Sequence, residues 1–145
     1  MRNNTYEYAT TSDCPSSTSS VPVRVRALVV DDSPDMVRTV TELLELGGNI
    51  DVIATASDGA EAICAVQVYD PDLIIMDVNM PRINGLAAAL LIREIASQTK
   101  ILLMSSDDGP DVGFAALDCG ADGFISKSSL TYQCRFHLNR LFPHL

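Results

Sequence analysis

Residues 73–85 read Leu-Ile-Ile-Met-Asp-Val-Asn-Met-Pro-Arg-Ile-Asn-Gly. The first four residues form an apolar run, which is typical of a central parallel strand covered on both faces. Asp77 follows at the predicted end of this strand. A loop over residues 78–84 contains a proline, and a helix is predicted from about residue 86 to 97. This stretch therefore predicts a buried strand that delivers a carboxylate to a loop.

The same alternation of short apolar runs and helical periodicity extends in both directions along the chain. Ser33 is a predicted helix cap, and Asp58 with Glu61 resembles a capping box. The other predicted strands are Val25–Val30, Asp51–Ala56, Ile101–Met104 and Gly123–Ser126, and the other predicted helices are about 34–46, 59–69, 110–119 and 129–141. Strict alternation indicates βαβ units, so we expect an α/β fold with five parallel strands in one doubly wound domain.

Composition limits the classes of protein and partner. With 145 residues and 47% hydrophobic residues, the chain has room for one folded domain, which we place at 23–145 after a disordered Ser/Thr-rich tail over 1–22. The net charge of -9 argues against direct nucleic-acid binding. Four irregularly spaced cysteines suggest neither a zinc site nor a disulfide framework. Without a signal peptide or a membrane-spanning run, we expect a soluble cytoplasmic protein with no membrane partner.

Polar side chains stand at four of the predicted strand ends. Parallel strands open their carboxyl ends on one edge, where ligands of such sheets bind. The residues concerned are Asp31, Asp32, Asp77, Ser105 and Lys127. Three carboxylates that converge on one crevice repel each other unless a cation is bound or their pKa values rise. Magnesium suits this site because it is held by one or two carboxylates and completes its shell with water and phosphate oxygens.

With Mg²⁺ present, Asp77 can act as a nucleophile toward phosphorus and form an aspartyl-phosphate. Phosphoryl transfer depends mainly on positioning and charge stabilisation. Lys127 can hold one phosphate oxygen, and the Ser105 hydroxyl can donate to another. The strand ends thus contain every part of a phosphoryl-accepting site.

Four motifs together resemble those of bacterial two-component response-regulator receiver domains, which are also called CheY-like. They are Val29–Ser33, Ile75–Pro81, Leu103–Ser106 and Gly123–Lys127. The resemblance covers about residues 25–142 and implies a flavodoxin-like (βα)5 domain with strand order 2-1-3-4-5.

The resemblance implies that Asp77 accepts a phosphoryl group from the phosphohistidine of a sensor histidine kinase or a histidine phosphotransfer protein. Asp32 and Asp77 would bind Mg²⁺ directly together with the Asn79 main-chain carbonyl, and Asp31 would help through water. Ser105 and Lys127 match the hydroxyl and lysine of the family. The chain is then a phosphoacceptor switch, with no enzymatic activity beyond its own phosphorylation and dephosphorylation.

The family also implies a conformational switch in which Ser105 moves toward the phosphate and Phe124 rotates into the vacated space. An equally simple interpretation makes Phe124 an ordinary apolar strand residue. The switching surface would be formed by the fourth helix, fifth strand and fifth helix, where an unknown downstream protein or a second phosphorylated copy would dock. Asn79 and Asp107 would tune the lifetime of the phosphoryl group.

Several alternatives remain open from the sequence. Ser128, after the family lysine, resembles receivers that precede helix-turn-helix DNA-binding domains, so the chain is either a stand-alone receiver or part of a transcriptional regulator whose output domain is absent. An aspartate-nucleophile phosphohydrolase would carry a second Asp where Asn79 stands. A flavodoxin-like cofactor binder would have its phosphate repelled by Asp31 and Asp32. A last alternative is a receiver that is no longer phosphorylated and serves only as a protein-binding module. The intact set of Asp31, Asp32, Asp77, Ser105 and Lys127 argues against it.

Two further features receive limited interpretations. The predicted third helix is unusually apolar, which indicates either an extra contact face or alanines tolerated at exposed positions. His137 and His144 lie far along the chain from the acidic residues, and no chemistry is assigned to them.

Overall fold

The computed structural model describes residues 23–107 and 109–145, so the expected tail over 1–22 lies outside the described residues. Five parallel strands form one sheet in the order β2-β1-β3-β4-β5. They are β1 Val25–Val30, β2 Ile50–Ala56, β3 Leu73–Asp77, β4 Lys100–Ser105 and β5 Gly123–Ser126. The helices are α1 Pro34–Glu45, α2 Gly59–Tyr69, α3 Gly85–Ile95, α4 Pro110–Asp118 and α5 Leu130–Leu141. The predicted α/β class and strand order are confirmed.

Strand β3 lies at the centre of the sheet, and all five of its residues are buried. Ile74 and Met76 pack into an apolar cluster with α2, α3 and α4. Leu73 and Ile75 pack into a second cluster with α1 and α5. Alternate residues of one strand therefore enter opposite layers, as expected of a parallel strand covered on both faces.

Helix α3 corrects one sequence interpretation. Ala87 is exposed, in agreement with alanines tolerated at exposed positions. Ala88 and Ala89, however, are fully buried, as is Ile92. They belong to the cluster between the sheet and helices α2 to α4, where a larger side chain would need additional space. Leu90 and Leu91 do remain about half exposed on the outer face.

The predicted helix starts hold, with one variation. The Ser33 hydroxyl accepts a hydrogen bond from the Met36 amide, and the Asp58 carboxylate accepts one from the Glu61 amide. The Glu61 carboxylate accepts from the amide of Ser57 rather than from that of the cap residue, so the capping box is shifted by one residue. Both helices begin at the carboxyl edge of the sheet.

Helix α5 begins one residue later than the sequence predicts. A 3₁₀ turn over Lys127–Ser129 separates it from β5. In this turn the Ser126 and Ser128 hydroxyl oxygens lie 2.8 Å apart. Short hydroxyl side chains compete with helical hydrogen bonding, which makes such a boundary difficult to place from sequence alone.

Within the described part of the chain, no helix has the length and apolar character that crossing a bilayer requires. Cys64, Cys119 and Cys134 carry free thiols.

Candidate functional site

The candidate site lies where β1 and β3 meet at the carboxyl edge of the sheet. The chain continues to β2 on one side of β1 and returns to β3 on the other, so this is the switch point at which α/β sheets bind ligands. Asp31 and Asp32 follow β1, and Asp77 ends β3. Carboxylate oxygens of all three lie within 4.8 Å of one another. The structure thus brings together the three predicted acidic residues.

Lys127 connects two of these carboxylates. Its Nζ donates to Asp31 Oδ2 at 2.9 Å and lies 3.4 Å from Asp77 Oδ1. Burial lowers the pKa of the Lys127 ammonium, but the hydrogen bond to Asp31 and the charge of Asp77 outweigh burial and leave the pKa raised. The lysine therefore stays charged between the two acids.

The carboxyl group of Asp77 lies in surroundings that disfavour its ionised form. Its exposed fraction is 4%, and burial followed by the charge of Asp31 raises its pKa above the ordinary value. Lys127 opposes this rise without cancelling it. Among the described residues, Lys127 is the one basic side chain that pairs with this group of three carboxylates, so the group carries more negative charge than the lysine neutralises.

Main-chain contacts fix the position of Asp77. The Val78 amide donates to the Met104 carbonyl at 2.8 Å, and the Gly85 amide donates to the Val78 carbonyl at 2.9 Å. A Cβ atom at Gly85 would lie 2.2 Å from the Asp77 carbonyl oxygen, so this close approach requires glycine. Helix α3 consequently begins directly against the end of β3.

The loop after Asp77 is also tied to helix α2. Arg82, which has a left-handed φ of 64°, pairs with the buried carboxylate of Asp58. The Gly59 amide donates to the Ile83 carbonyl at 3.2 Å. These residues were not recognised from the sequence, although Arg82 is the one residue of the loop that can pair with an acid.

Ser105 lies fully buried at the end of β4, beside the carboxylate cluster in the sheet. Its hydroxyl oxygen accepts from Asn79 Nδ2 at 3.4 Å and from the Asp107 amide at 3.0 Å. The Asp107 carboxylate instead accepts from the Gly109 amide at 3.0 Å, within its own turn. Both residues expected to tune the phosphoryl group therefore contact the predicted hydroxyl residue.

Phe124 lies on β5, at the sheet edge, and is partly buried against the cluster beneath α4. It lines a groove of about 540 Å³ between α4 and α5. Exposed apolar side chains border this surface, namely Phe114, Leu117, Tyr132 and Phe136. The surface formed by α4, β5 and α5 is therefore apolar, and its role in switching stays a prediction.

His137 also lies on this surface, although the sequence assigned it no chemistry. Its Nε2 is 3.1 Å from the Phe124 carbonyl oxygen. The long separation in sequence between His137 and the acidic residues concealed this contact, which brings helix α5 to β5, the strand directly before Lys127. The available signal was the spacing of polar residues at 133, 137 and 140 on one helix face.

Comparison with known proteins identifies the architecture. The model of the response regulator receiver domain matches residues 27–134. The chain belongs to this family. This receiver resembles the probable transcriptional regulatory protein NarL of Mycobacterium tuberculosis, with 36% identity over 74% of this chain and 50% of the relative. It also resembles a protein-glutamate methylesterase/protein-glutamine glutaminase of Haloarcula marismortui, with 46% identity over 71% of this chain and 28% of the relative.

Solved structures agree with this assignment. The signal receiver domain of M. tuberculosis NarL superimposes with a TM-score of 0.76 at 33% identity, covering 83% of this chain and 98% of that domain. The response regulator domain of Thermotoga maritima CheB gives a TM-score of 0.67 at 31% identity, covering 80% and 87%. The receiver spans about half, or less, of the length of the curated relatives it matches. It is a receiver domain of the two-component response-regulator type.

Proposed function

We propose that Asp77 is the phosphoacceptor of this receiver and that phosphorylation switches the surface around β5. The observation that carries the proposal is a group of three neighbouring carboxylates in which one lysine pairs with Asp31 and Asp77, both of them buried. Such a cluster is poised to gain a cation and a phosphoryl group. The intact set of acids, lysine and hydroxyl also favours a receiver that cycles over one that only binds proteins.

The donor atoms fit Mg²⁺. Carboxylate oxygens within 4.8 Å of one another form a hard, anionic donor set. We assign Asp32 and Asp77 as direct ligands with the Asn79 main-chain carbonyl, and Asp31 as a ligand through water. When bound, Mg²⁺ supplies positive charge where the carboxylate and the phosphoryl oxygens would otherwise repel.

In the proposed reaction, an Asp77 carboxylate oxygen forms a bond to phosphorus. The bond from phosphorus to the imidazole nitrogen of a donor phosphohistidine breaks, and that nitrogen keeps the electron pair. Lys127 pairs with a phosphoryl oxygen, and the Ser105 hydroxyl donates to another after it turns from its present contacts. The donor is a sensor histidine kinase or a histidine phosphotransfer protein. We expect no turnover of a separate substrate by this domain.

The output is proposed to act through the α4-β5-α5 surface, by binding a downstream protein or a second phosphorylated copy. A second candidate is that this receiver regulates a DNA-binding segment in the same protein. The similarity to a transcriptional regulatory protein over half of that relative favours this candidate. The methylesterase relative is similar over its receiver segment too, so similarity of the receiver alone does not assign an output.

The proposal is tested by incubating the protein with acetyl phosphate and Mg²⁺ and measuring its intact mass. We expect one phosphoryl group, stable in acid and labile in base, that depends on Mg²⁺. Asp77→Asn should abolish it, whereas Asp35→Asn, at an exposed acid outside the cluster, should leave it unchanged. An adduct that survives Asp77→Asn, or the absence of any adduct on the wild type, would contradict the proposal.

A further inference from the structure

Helix α5 covers the outer edge of the sheet with polar side chains. Strand β5 is an edge strand, so one side of its backbone has no neighbouring strand. Gln133 Oε1 accepts from the Ser126 amide at 2.7 Å, and Arg140 donates to the Asp122 carbonyl at 2.6 Å. His137 lies between them, with Nε2 at 3.1 Å from the Phe124 carbonyl. Residues at positions i, i+4 and i+7 of one helix thus contact main-chain groups of Ser126, Phe124 and Asp122. These three contacts are called the ladder below.

The partners of His137 fix its protonation state. Arg140 also contacts His137 Nδ1 at 2.8 Å, and a guanidinium group can only donate hydrogen bonds. Nδ1 must therefore accept, which leaves the proton of a neutral imidazole on Nε2. The Phe124 carbonyl can only accept, so the same tautomer satisfies both contacts. The contacts with Arg140 and with the Phe124 carbonyl together require a neutral imidazole with its proton on Nε2.

Packing holds the ring in this position. A Cβ atom at Gly123 would lie 2.7 Å from both Cε1 and Nδ1 of His137, so the imidazole rests directly on the strand backbone. Phe136 also contacts the ring in an edge-on arrangement, with ring centroids 5.2 Å apart. If β5 moves, the imidazole must either move with it or lose these contacts.

We propose that His137 is a positioning residue of the switch, whose imidazole ties the main chain of Phe124 to α5. Movement of Phe124 is then passed to α5 through the ladder. The transmission step rests on the proposed function, whereas the link in the resting protein does not.

The charged surroundings agree with a neutral ring. Of the residues that line the two grooves around His137, Asp122 and Arg140 carry charge, whereas the lining residues of α4 are Pro110, Gly113, Phe114 and Leu117. The Asp122 carboxylate is bonded to Arg93 and to the Ile101 amide instead. Burial, and then the charge of Arg140, lower the pKa of His137 against the opposing hydrogen bond to Phe124. A proton on Nδ1 would face the Arg140 guanidinium.

The resting link is tested by ¹⁵N NMR of the imidazole rings during a pH titration. We expect the Nε2–H tautomer for His137, with a midpoint below that of histidine in a free peptide. His137→Gln assigns the signals and retains one donor for the carbonyl. A Nδ1–H tautomer, or an unshifted midpoint, would overturn the inference.

Transmission is tested by amide hydrogen exchange before and after treatment with acetyl phosphate and Mg²⁺, with intact mass recording the adduct. In the wild type we expect altered protection in both residues 123–126 and α5. In His137→Leu the α5 response should shrink about threefold to tenfold, the equivalent of one net hydrogen bond, and His137→Gln should restore most of it. His144→Gln, at the other histidine, should respond as the wild type does.

The outcomes separate the two proposals. If the adduct forms and α5 responds equally in the wild type and His137→Leu, the inference is wrong and the proposed function stands. The inference is also wrong if the wild-type adduct forms without any response of α5. If no adduct forms on the wild type, the proposed function fails, and the tautomer and titration of His137 decide the resting link.

Discussion

The amino-terminal and carboxyl ends of the sheet both carry partly or fully buried charge, but the charges are paired differently. At the amino-terminal end, Arg93 makes five hydrogen bonds, to Ser97, Thr99, Gly120 and Asp122. The Asp122 carboxylate also accepts from the Ile101 amide at 2.8 Å. At the carboxyl end, three carboxylates lie together, and Lys127 pairs with two of them, Asp31 and Asp77.

This difference in charge pairing indicates that the amino-terminal end serves stability and the carboxyl end serves function. Saturated charges at the amino-terminal end connect α3, β4 and β5, so removing one leaves buried groups without partners. At the carboxyl end, the repulsion between the carboxylates is only partly compensated. This repulsion serves the function only when a cation and a phosphoryl group bind. We therefore expect removal of a carboxylate charge at the two ends to change the free energy of unfolding in opposite directions.

The largest effect is expected at Asp122. Asp122→Ala leaves the Arg93 guanidinium and the Ile101 amide without this acceptor, and should lower the free energy of unfolding by about 3 kcal/mol. Urea denaturation measures the change. Asp118→Ala, at an exposed acid near the end of α4, should stay within about 0.5 kcal/mol. Equal losses of unfolding free energy in Asp122→Ala and Asp118→Ala would contradict the stabilising role of the paired charges at the amino-terminal end.

Gly85→Ala should damage the carboxyl end through its geometry. The added Cβ would meet the Asp77 carbonyl oxygen at 2.2 Å, so the backbone must move. We expect a loss of about 2 kcal/mol in the free energy of unfolding and a marked loss of adduct formation. Gly47→Ala is the control, because a Cβ there meets nothing within 4 Å. Normal phosphorylation of Gly85→Ala would show that the position of Asp77 is not critical.

Magnesium should stabilise the wild type. At a concentration ten times its dissociation constant, a ligand that binds only the folded state adds about 1.4 kcal/mol. Thermal unfolding with and without Mg²⁺ should show this gain in the wild type and in Asp35→Asn. Asp32→Asn should lose most of it, since Asp32 is an assigned ligand. An undiminished gain in Asp32→Asn would contradict the assigned magnesium site.

The smallest effect on the free energy of unfolding is expected for Asp77→Asn, and its sign is opposite to that of Asp122→Ala. With metal chelated, Asp77→Asn should raise the free energy of unfolding by about 1 kcal/mol at neutral pH, because it removes an ionised group that folding disfavours. The pKa of Asp77 is raised by burial and by Asp31, so its contribution is favourable below the unfolded value of 3.8 and is lost as pH rises through the folded pKa. Denaturation of both proteins across acidic and neutral pH should therefore show the advantage of Asp77→Asn shrinking toward acid.

The fold was predictable because its signals are local. A wholly apolar run at Leu73–Met76 identifies a strand covered on both faces, and cap residues such as Ser33 identify helix starts. The expected acids and lysine also come together because each directly follows or ends a strand, and topology brings strand ends to one edge. Local pattern and global topology agree at these positions.

The remaining features depend on contacts that sequence spacing does not specify. Nothing in the sequence indicates that Arg93 reaches Asp122, and the polar spacing on α5 does not by itself show that His137 faces the carbonyl of Phe124. The buried alanines of α3 were misjudged because alanine is common both on exposed helices and where helices pack closely. Such features depend on how elements pack, which composition and periodicity describe only on average.

The position of the phosphoryl bond tests the central claim most directly. Borohydride reduces the acyl carbon of an aspartyl-phosphate to an alcohol, which converts the modified aspartate to homoserine. After treatment with acetyl phosphate and Mg²⁺, peptide mass mapping should find homoserine at position 77 and nowhere else. Homoserine at position 31 or 32, or at none in a protein that carries the adduct, would contradict the assignment of Asp77 as the phosphoacceptor.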